Sequence, residues 1–466
     1  MAGFTFATGN LAKIAALPLY GLGAAAAAVT PRRRGLWVFG SGSGVGEGAL
    51  ALLRQVREHD QHARVVWLAR NERDVTDARA LGIPVALAAS WRGFRLTLRA
   101  EVLVVTHGFG DVNRFATAGG FVVNVWHGIP FKKIRIDSPE AMRVPVLGGL
   151  PIVRQLLRRS YARAGRGIAL FSTASPAAAA RVRTAFALTE RQAVVTGDPR
   201  DDVLLAGSRE RRERTAREKI AGVLEDPRAL TERLVLYAPT WRDGRGHPAV
   251  PTTDEWLALD ALLERTGSVL LVRAHPLGRG DFAAGVAASR RIAMLGADLL
   301  ADITPVLPAI DTLITDYSSI AFDYALVGGP ILFLAPDVAD YAGRRGVYEP
   351  YADFSGGREV AGWESMIPLL EQTLTDASAR APFAEHASWL AHRFHSFRDG
   401  RNTERVYELT ELRYREGLAT QLDVSNARLA LQQARINQVQ AYHAAYTALA
   451  QAERTLGLPL DRTTLP

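Results

Sequence analysis

The chain has 466 residues, 48% hydrophobic and 22% charged, a balance that is typical of globular proteins and excludes a chain disordered throughout, a collagen and a polytopic membrane protein. At about 150 residues per domain, this length predicts roughly three units. The absence of cysteine excludes disulfide scaffolds, cysteine-ligated zinc, iron–sulfur clusters and thiol nucleophiles.

The net charge of +8 is concentrated in two segments. Residues 1–34 contain four basic residues and no acid, and residues 141–189 contain eight arginines and no acid. Segments of one sign indicate an anionic partner: a nucleic acid, a membrane surface or a phosphorylated substrate. Because no recognised nucleic-acid-binding module is present, we expect no nucleic-acid partner.

The first basic segment, residues 1–34, is predicted to associate with a membrane. Its apolar run, residues 14–30, is about the minimum length that spans a bilayer, and the arginines that follow suit an anionic leaflet. We expect a helix that lies on the membrane surface; a spanning helix, a signal peptide and an ordinary packed helix are the alternatives. The predicted membrane-facing residues are Arg32, Arg33 and Arg34.

A basic insert at residues 141–166 has apolar residues three and four positions apart, which predicts an amphipathic helix. Its other face carries Arg154, Arg158, Arg159 and Arg163. Such a helix binds an anionic membrane, or packs on a core and exposes its arginines to solvent. The missing acids favour the membrane, because an ordinary solvated face mixes charges of both signs.

Short apolar runs alternate with helical stretches through the rest of the chain. The predicted strands are 36–39, 65–68, 85–87, 102–106, 122–125, 168–171, 193–196, 234–237, 269–272, 312–315 and 331–334. This alternation predicts the α/β class, with two doubly wound Rossmann-like domains facing a cleft, as in the GT-B type, and a C-terminal helical tail. The predicted divisions are a first domain at 35–207, a connector at 208–233, a second domain at 234–401 and a tail at 402–466.

The glycine-rich stretch at residues 40–48 follows the first predicted strand. It contains neither the G-x-G-x-x-G spacing nor the GK[ST] of a P-loop. We therefore favour a tight turn that admits an acceptor or the other domain over a nucleotide site.

The strand at 122–125 leads into Trp-His-Gly-Ile-Pro-Phe-Lys-Lys, which contains His127, Lys132 and Lys133. A histidine at the carboxyl end of a parallel strand lies at the edge where α/β proteins bind ligands, and it can accept a proton near neutral pH. A single histidine is more often structural, but the surrounding motif favours a functional role.

In the second domain, polar residues follow three strands. Thr240 and Arg242 are placed to meet a phosphate or a ribose, and Arg273 and His275 form a basic pair that suits an anion. The third set is Asp316, Ser318, Ser319 and Asp323. It suggests a phosphate site at a helix start, or a simple helix cap, with Asp323 taking ribose hydroxyls or only solvating the helix.

These motifs, together with Thr196-Gly-Asp-Pro-Arg-Asp-Asp, Arg345-Gly346 and Phe397-Arg-Asp-Gly-Arg, resemble the CDP-glycerol glycerophosphotransferase family over residues 34–405. The resemblance implies a GT-B enzyme of teichoic-acid or capsule synthesis, with the donor on the second domain and His127 as general base. It assigns the diphosphate to His275, Ser318 and Ser319, supported by Arg242 and Arg273. Lys132, Lys133, Arg200 and Arg345 are candidates for acceptor or phosphate contacts. Ile129 departs from the threonine usual after His-Gly in the family.

The resemblance further implies CDP-glycerol as donor, a lipid-linked or polymeric acceptor and a cytoplasmic, peripheral location on the inner membrane face. No cofactor is expected, because the sequence contains no carboxylate-rich metal cluster. A homo-oligomer is compatible with the sequence. The alternatives are a GT-B glycosyltransferase that uses a nucleotide sugar, and a non-catalytic membrane adaptor.

The tail, residues 402–466, differs in composition from the rest of the chain. Tyr414, Gly417, Tyr442 and Gly457 belong to a pattern that resembles the C-terminal end of TolC-type outer-membrane efflux proteins. The tail is therefore interpreted as a fusion; a helical hairpin for oligomerisation or docking is the alternative.

Overall fold

A computed structural model of the chain describes residues 16–139, 151–242, 246–274 and 282–415, with a few helical residues between 438 and 451. Several predictions lie outside these residues: His275, the first fifteen positions, residues 140–150 of the basic insert and most of the tail. The side chain of Arg154 also lies outside the description.

The first domain contains a seven-stranded parallel sheet in the order β3-β2-β1-β4-β5-β6-β7. Its strands are β1 (Arg33–Phe39), β2 (Arg64–Ala69), β3 (Val85–Leu87), β4 (Ala100–Val105), β5 (Phe121–Asn124), β6 (Ile168–Thr173) and β7 (Ala193–Val195). The helices are α1 (Leu17–Val29), α2 (Glu47–His59), α3 (Glu72–Ala80), α4 (Trp91–Arg99), α5 (Pro151–Arg166), α6 (Pro176–Phe186) and α7 (Asp202–Leu205). The order reverses between β1 and β4, so the crevice for a ligand lies at their carboxyl ends.

The second domain repeats this arrangement with five parallel strands in the order β10-β9-β8-β11-β12. Its strands are β8 (Arg233–Ala238), β9 (Ser268–Val272), β10 (Ile292–Met294), β11 (Thr312–Thr315) and β12 (Ile331–Phe333). The helices are α8 (Arg209–Leu224), α9 (Thr253–Thr266), α10 (Ala283–Ala288), α11 (Ile320–Ala325), α12 (Val338–Arg345), α13 (Tyr351–Ser355), α14 (Trp363–Thr375), α15 (Ala377–Phe394) and α16 (Asn402–Arg415). The structure thus confirms two α/β domains and adds β10, a three-residue strand that the sequence analysis missed.

The central strands of both sheets are buried along most of their length, as expected for parallel sheets that are covered by helices on both faces. The predicted connector forms α8, whose residues Ala216 and Ile220 are fully buried in the core of the second domain with Leu234. The connector is therefore packed as part of that domain and does not act as a free linker.

The two domains share packed side chains. Phe131 of the first domain stacks on Phe354 of the second, with ring centroids 4.2 Å apart. At the end of the second domain the chain returns to the first: the backbone N–H groups of Asn402 and Thr403 donate to the carboxylate of Asp202 at 2.8 and 2.7 Å. Residues 402–408 consequently belong to the compact unit that ends at Glu408, although the predicted tail began at residue 402.

Within the residues that the structure describes, no helix is both long enough and apolar enough to cross a bilayer. α1 has 13 residues and packs Tyr20 edge-on against Phe115, at 5.0 Å between ring centroids. Leu19 and Leu22, on the same helix, are more than half exposed.

Candidate active site

The candidate site begins with three loops at the carboxyl edge of the first sheet. The turn after β1 contains Gly42, where a Cβ atom would lie 2.5 Å from the ring of His107. His107 follows β4 and His127 follows β5, so neighbouring strands deliver both histidines to one place. Gly128 adopts a φ of +130°, and a Cβ atom there would lie 3.5 Å from Oγ of Ser319 in the second domain. The His127 loop therefore faces Ser319 across the cleft.

Within the described part of the chain, the ring of His127 has one polar contact and packs against two other rings. Its Nδ1 lies 3.4 Å from the backbone oxygen of Thr106, and its ring centroid lies 3.9 Å from that of Trp126. Because a carbonyl oxygen only accepts, this contact assigns the proton to Nδ1, which makes Nε2 the nitrogen that can accept a proton. Burial, and then the nearby His107 and Arg200, hold the pKa of His127 well below its ordinary value, so the ring is neutral at physiological pH.

His107 was missed by the sequence analysis. Its ring lies parallel to that of His127, with centroids 3.8 Å apart and 9° between the planes. Burial, followed by Arg70 and Arg200, lowers the pKa of His107 to about 4. A signal was present, because Thr106-His107-Gly108 follows a buried strand as directly as Trp126-His127-Gly128 does.

Arg200 joins the His127 loop to the second domain. One guanidinium nitrogen donates to the backbone oxygen of His127, and another donates to Thr304 and to Asp323, each at 2.8 Å. The side chains of Arg200 and Asp323 are only 7% and 3% exposed. Asp323 was expected to meet ribose hydroxyls or solvent, but in the structure it is a buried partner of Arg200, and burial raises its pKa to about 6.

Glu47, the first residue of α2, is a second group that the sequence analysis missed. Its φ is +54°, and its backbone N–H donates to the carboxylate of Asp302, in the second domain, at 3.0 Å. Burial raises the pKa of Glu47 to about 7, against the opposing effect of Arg200. The signal in the sequence is an acid directly after the glycine-rich turn, although nothing near it in the sequence shows that it is buried.

Three of the predicted donor residues form a buried network. The Arg242 guanidinium contacts the carboxylates of Asp316 and Asp337 at 2.8 and 2.9 Å. Asp316 also accepts from the backbone N–H of Thr240 at 2.9 Å. Although burial opposes it, the neighbouring His247 side chain, followed by Arg242 and Thr240, lowers the pKa of Asp316 to about 2. Thr240, Arg242 and Asp316 thus tie the loop after β8 to the loop after β11, and Arg242 is occupied by carboxylates.

Arg273 is directed to the protein backbone. Its guanidinium donates to the carbonyl oxygens of Leu295, Leu300 and Ala301 at 3.0, 2.9 and 3.1 Å. Burial lowers its pKa from the ordinary value. Ser318 and Ser319 are partly exposed at the carboxyl edge of the second sheet, and among the described donor candidates they are the residues left facing the cleft.

The predicted acceptor candidates lie where the two domains pair their backbones. Lys132 forms an antiparallel bridge with Val347, and the N–H of Lys133 donates to the carbonyl of Gly346 at 3.0 Å. Arg345 ends α12 just before this bridge and is partly buried. Lys132, Lys133 and Arg345 are thus brought together at one border of the cleft.

The predicted membrane-facing arginines have different environments. Arg32 donates to the backbone oxygens of Thr97, Ala100 and Ala118, so its guanidinium is directed to the protein, whereas Arg33 and Arg34 are exposed. On α5, Leu157 is buried, and the described arginines that are exposed are Arg158, Arg159, Arg163 and Arg166. Arg158 and Arg159 line an open groove of about 570 Å³.

Comparison with known proteins identifies the family. Residues 25–412 match the family described as CDP-Glycerol:Poly(glycerophosphate) glycerophosphotransferase. The chain belongs to this family.

Curated relatives are identical to this chain at a little over a quarter of the matched positions. The chain is 28% identical over 293 residues to a teichoic acid ribitol-phosphate polymerase, TarL, of Staphylococcus aureus, covering 61% of this chain and 46% of the relative. It is 27% identical over 258 residues to a teichoic acid poly(glycerol phosphate) polymerase of Bacillus subtilis, covering 54% and 32%. The chain therefore spans about half the length or less of these relatives.

A solved structure of the wall teichoic acid polymerase TagF matches with a TM-score of 0.66 at 20% identity, covering 83% of this chain and 91% of that one. A variant of the same polymerase matches with a TM-score of 0.69, covering 88% and 98%. This likeness confirms the GT-B fold of the family for the present chain. No finding tests the predicted resemblance of the tail to efflux proteins.

Proposed function

We propose that this protein transfers glycerol phosphate, or a related polyol phosphate, from a CDP-linked donor to an acceptor hydroxyl and releases CMP. The observation that carries the proposal is the position of His127, a neutral imidazole whose Nε2 can accept a proton. His127 follows β5, beside the point where the first sheet reverses its strand order, and it lies opposite Ser319, which follows β11 at the reversal point of the second sheet. Membership of the family and the similarity to polymerases of both glycerol phosphate and ribitol phosphate support this chemistry.

In the proposed reaction, the acceptor oxygen attacks the phosphorus atom that carries the polyol. A bond forms between these two atoms, the bond from that phosphorus to the CMP oxygen breaks, and Nε2 of His127 takes the proton of the acceptor hydroxyl. Phosphoryl transfer depends mainly on positioning and on stabilisation of charge. The hydroxyls of Ser318 and Ser319 would donate to the diphosphate, where negative charge grows on the leaving CMP.

The buried arginines have a supporting role in this proposal. Arg242 and Arg200 hold the second-domain loop and the His127 loop through Asp316 and Asp323, at 2.8 Å in each case. His275 remains a proposed diphosphate ligand on the resemblance alone. No cofactor is part of the proposed reaction.

We also propose that the enzyme works on a lipid-linked or polymeric acceptor of teichoic-acid or capsule synthesis, at the inner face of the cell membrane. The exposed Arg33 and Arg34, and the exposed arginines of α5, support a contact with an anionic surface. The similarity to teichoic acid polymerases supports the polymeric acceptor.

The test is release of the leaving nucleotide, measured as CMP with CDP-glycerol and CDP-ribitol and as the nucleoside diphosphate with a nucleotide sugar, each with a lipid-linked acceptor. We expect CMP release with a CDP-polyol and a loss of at least 100-fold in His127→Ala, because a general base contributes about 10² to 10⁴ in rate. Donor affinity, measured by calorimetry, should change less than twofold. His62→Ala, an exposed histidine of the same domain, is the matched control.

Two outcomes would contradict the proposal. Turnover of the nucleotide sugar alone would assign the protein to glycosyl transfer. A folded protein that binds vesicles and releases no nucleotide from any of the three donors would assign it to the adaptor class. Full turnover in His127→Ala would remove this residue as the base and leave the reaction itself standing.

A further inference from the structure

His107, whose ring stacks on that of His127, has no role in the proposed reaction. His107 is fixed from both edges of its ring: Nδ1 lies 2.8 Å from Oγ1 of Thr106, and Nε2 lies 3.4 Å from Oγ of Ser43. Because the Thr106 hydroxyl donates to Ser41, at 3.0 Å, it accepts the proton of His107 Nδ1. The orientation of this ring therefore follows from the hydrogen bonds around it.

The backbone beneath His107 is equally fixed. One carboxylate oxygen of Asp111 accepts from the N–H groups of Thr106, His107 and Gly108 at 2.9, 2.6 and 3.2 Å. Asp111 is itself buried, at 3% exposed. The loop after β4 is thus a rigid support for the His107 ring.

For His127, by contrast, the hydrogen bond within the described residues that defines its ring orientation is the 3.4 Å contact of Nδ1 with the Thr106 carbonyl oxygen. A contact of that length is weak, so the plane of the ring depends on its packing. The parallel ring of His107, 3.8 Å away, occupies the space into which the His127 ring would turn.

We propose that His107 is a positioning residue for His127, and that its ring keeps Nδ1 of His127 on the Thr106 carbonyl and Nε2 directed to the acceptor hydroxyl. This inference rests on the proposed function, because it assumes that His127 is the base. In this proposal the hydrogen bonds of His107 fix its own ring, and the flat face of that ring fixes the orientation of His127. The groups facing the pair are Arg70, Arg200 and Lys132.

Two substitutions separate the face of the ring from its edges. His107→Phe keeps a flat ring and removes the nitrogen atoms, whereas His107→Gln keeps polar atoms for Thr106 and Ser43 and removes the ring. A small misplacement of a catalytic group costs about 10²-fold in rate. We expect kcat for CMP release to fall by about 30- to 100-fold in His107→Gln and by about threefold in His107→Phe, with the KM for the CDP-polyol unchanged. His62→Phe and His62→Gln are the matched controls.

A second measurement does not depend on turnover. Nitrogen NMR of the imidazoles in the resting protein should show His127 protonated at Nδ1 in the wild type and in His107→Phe, and a mixture of the two tautomers in His107→Gln. The same spectra show whether each variant is folded. This measurement tests the positioning role even if the protein releases no CMP, so the failure of the proposed function can be told from the failure of this inference.

The inference is overturned if His107→Gln retains more activity than His107→Phe, because hydrogen bonding would then be the essential property. It is also overturned if both variants raise the KM for the acceptor equally and leave kcat unchanged, since His107 would then be an acceptor ligand. An unchanged Nδ1 tautomer in His107→Gln would contradict it as well.

Discussion

Replacing Arg200 by methionine should destabilise the protein by an amount that depends on pH. The guanidinium makes 2.8 Å bonds to Asp323 and Thr304 and a further bond to the His127 carbonyl, with 8% of the residue exposed. Breaking a buried pair of this kind costs about 3–5 kcal/mol, because the remaining carboxylate is left without its partner. Arg200 also faces the partly buried Glu47 and, more weakly, Asp302 and Asp201, so Arg200→Met leaves several carboxylates without this cation.

The dependence on pH follows from those carboxylates. The pKa of Glu47 is already raised from 4.5 to about 7 and that of Asp323 from 3.8 to about 6, and removal of the cation raises both further. Between pH 5.5 and pH 8 the folded variant therefore holds protons that the unfolded chain has released, so its stability falls as pH rises. We expect the full loss of about 3–5 kcal/mol at pH 8 and a clearly smaller loss at pH 5.5.

The assay is urea unfolding of wild type and variants at both pH values, followed by tryptophan fluorescence. Arg183→Met is the control, because the Arg183–Glu190 pair is 35% and 77% exposed and should contribute about 1 kcal/mol or less. Asp323→Asn, which keeps the shape and leaves Arg200 facing other carboxylates, should lose less than Arg200→Met at pH 8. Equal losses in Arg200→Met and Arg183→Met, or a loss in Arg200→Met that is the same at both pH values, would refute this reasoning.

Three further predictions concern the cleft and the basic surface. Replacing Ser318 and Ser319 together by alanine should weaken CDP-polyol binding by about 100-fold or more in calorimetry, because each of the two hydrogen bonds to a charged group contributes about 1.5–3 kcal/mol; unchanged affinity would remove them from the diphosphate site. Glu47→Gln should raise the free energy of unfolding by up to about 3 kcal/mol at pH 8 and by little at pH 4.5. The pKa of this carboxyl rises from 4.5 to about 7 on folding, so the wild-type protein loses stability as pH rises through that interval and the variant does not. An equal gain at both pH values would exclude this cause. Arg33→Glu with Arg34→Glu should weaken binding to anionic vesicles by about tenfold or more, since each basic residue near such a surface contributes about 1 kcal/mol, whereas the same change at Arg209 and Arg211 should have no effect.

The sequence was sufficient to predict the strands and the position of His127 at the carboxyl edge of the first sheet, and one physical reason explains both. A fully buried parallel strand is a continuous apolar run, and the residue after it lies at the edge where ligands bind. All the predicted strands are present in the structure, with ends shifted by a few residues. β10, the three-residue strand Ile292–Met294, was missed.

The partners of charged residues could not be predicted, because they are distant in the sequence. Arg242 was expected to meet a phosphate, but it pairs with Asp337, which is 95 positions away. Arg200 pairs with Asp323, which is 123 positions away. His107 was missed for a related reason, since its stacking on His127 exists only once β4 and β5 are neighbours. An arginine in a strand-end loop is therefore as compatible with a carboxylate partner as with a substrate.

The return of the chain to the first domain offers a way to observe the cleft directly. Glu408 follows residues that are bonded to Asp202, so a fluorophore placed there reports the position of the first domain, and one at the exposed Leu257 on α9 reports the second. Because the sequence contains no cysteine, two introduced thiols would be the only sites for a thiol-reactive dye pair. Energy transfer between the dyes would then measure, in single molecules, the distance between the domains as donor and acceptor bind.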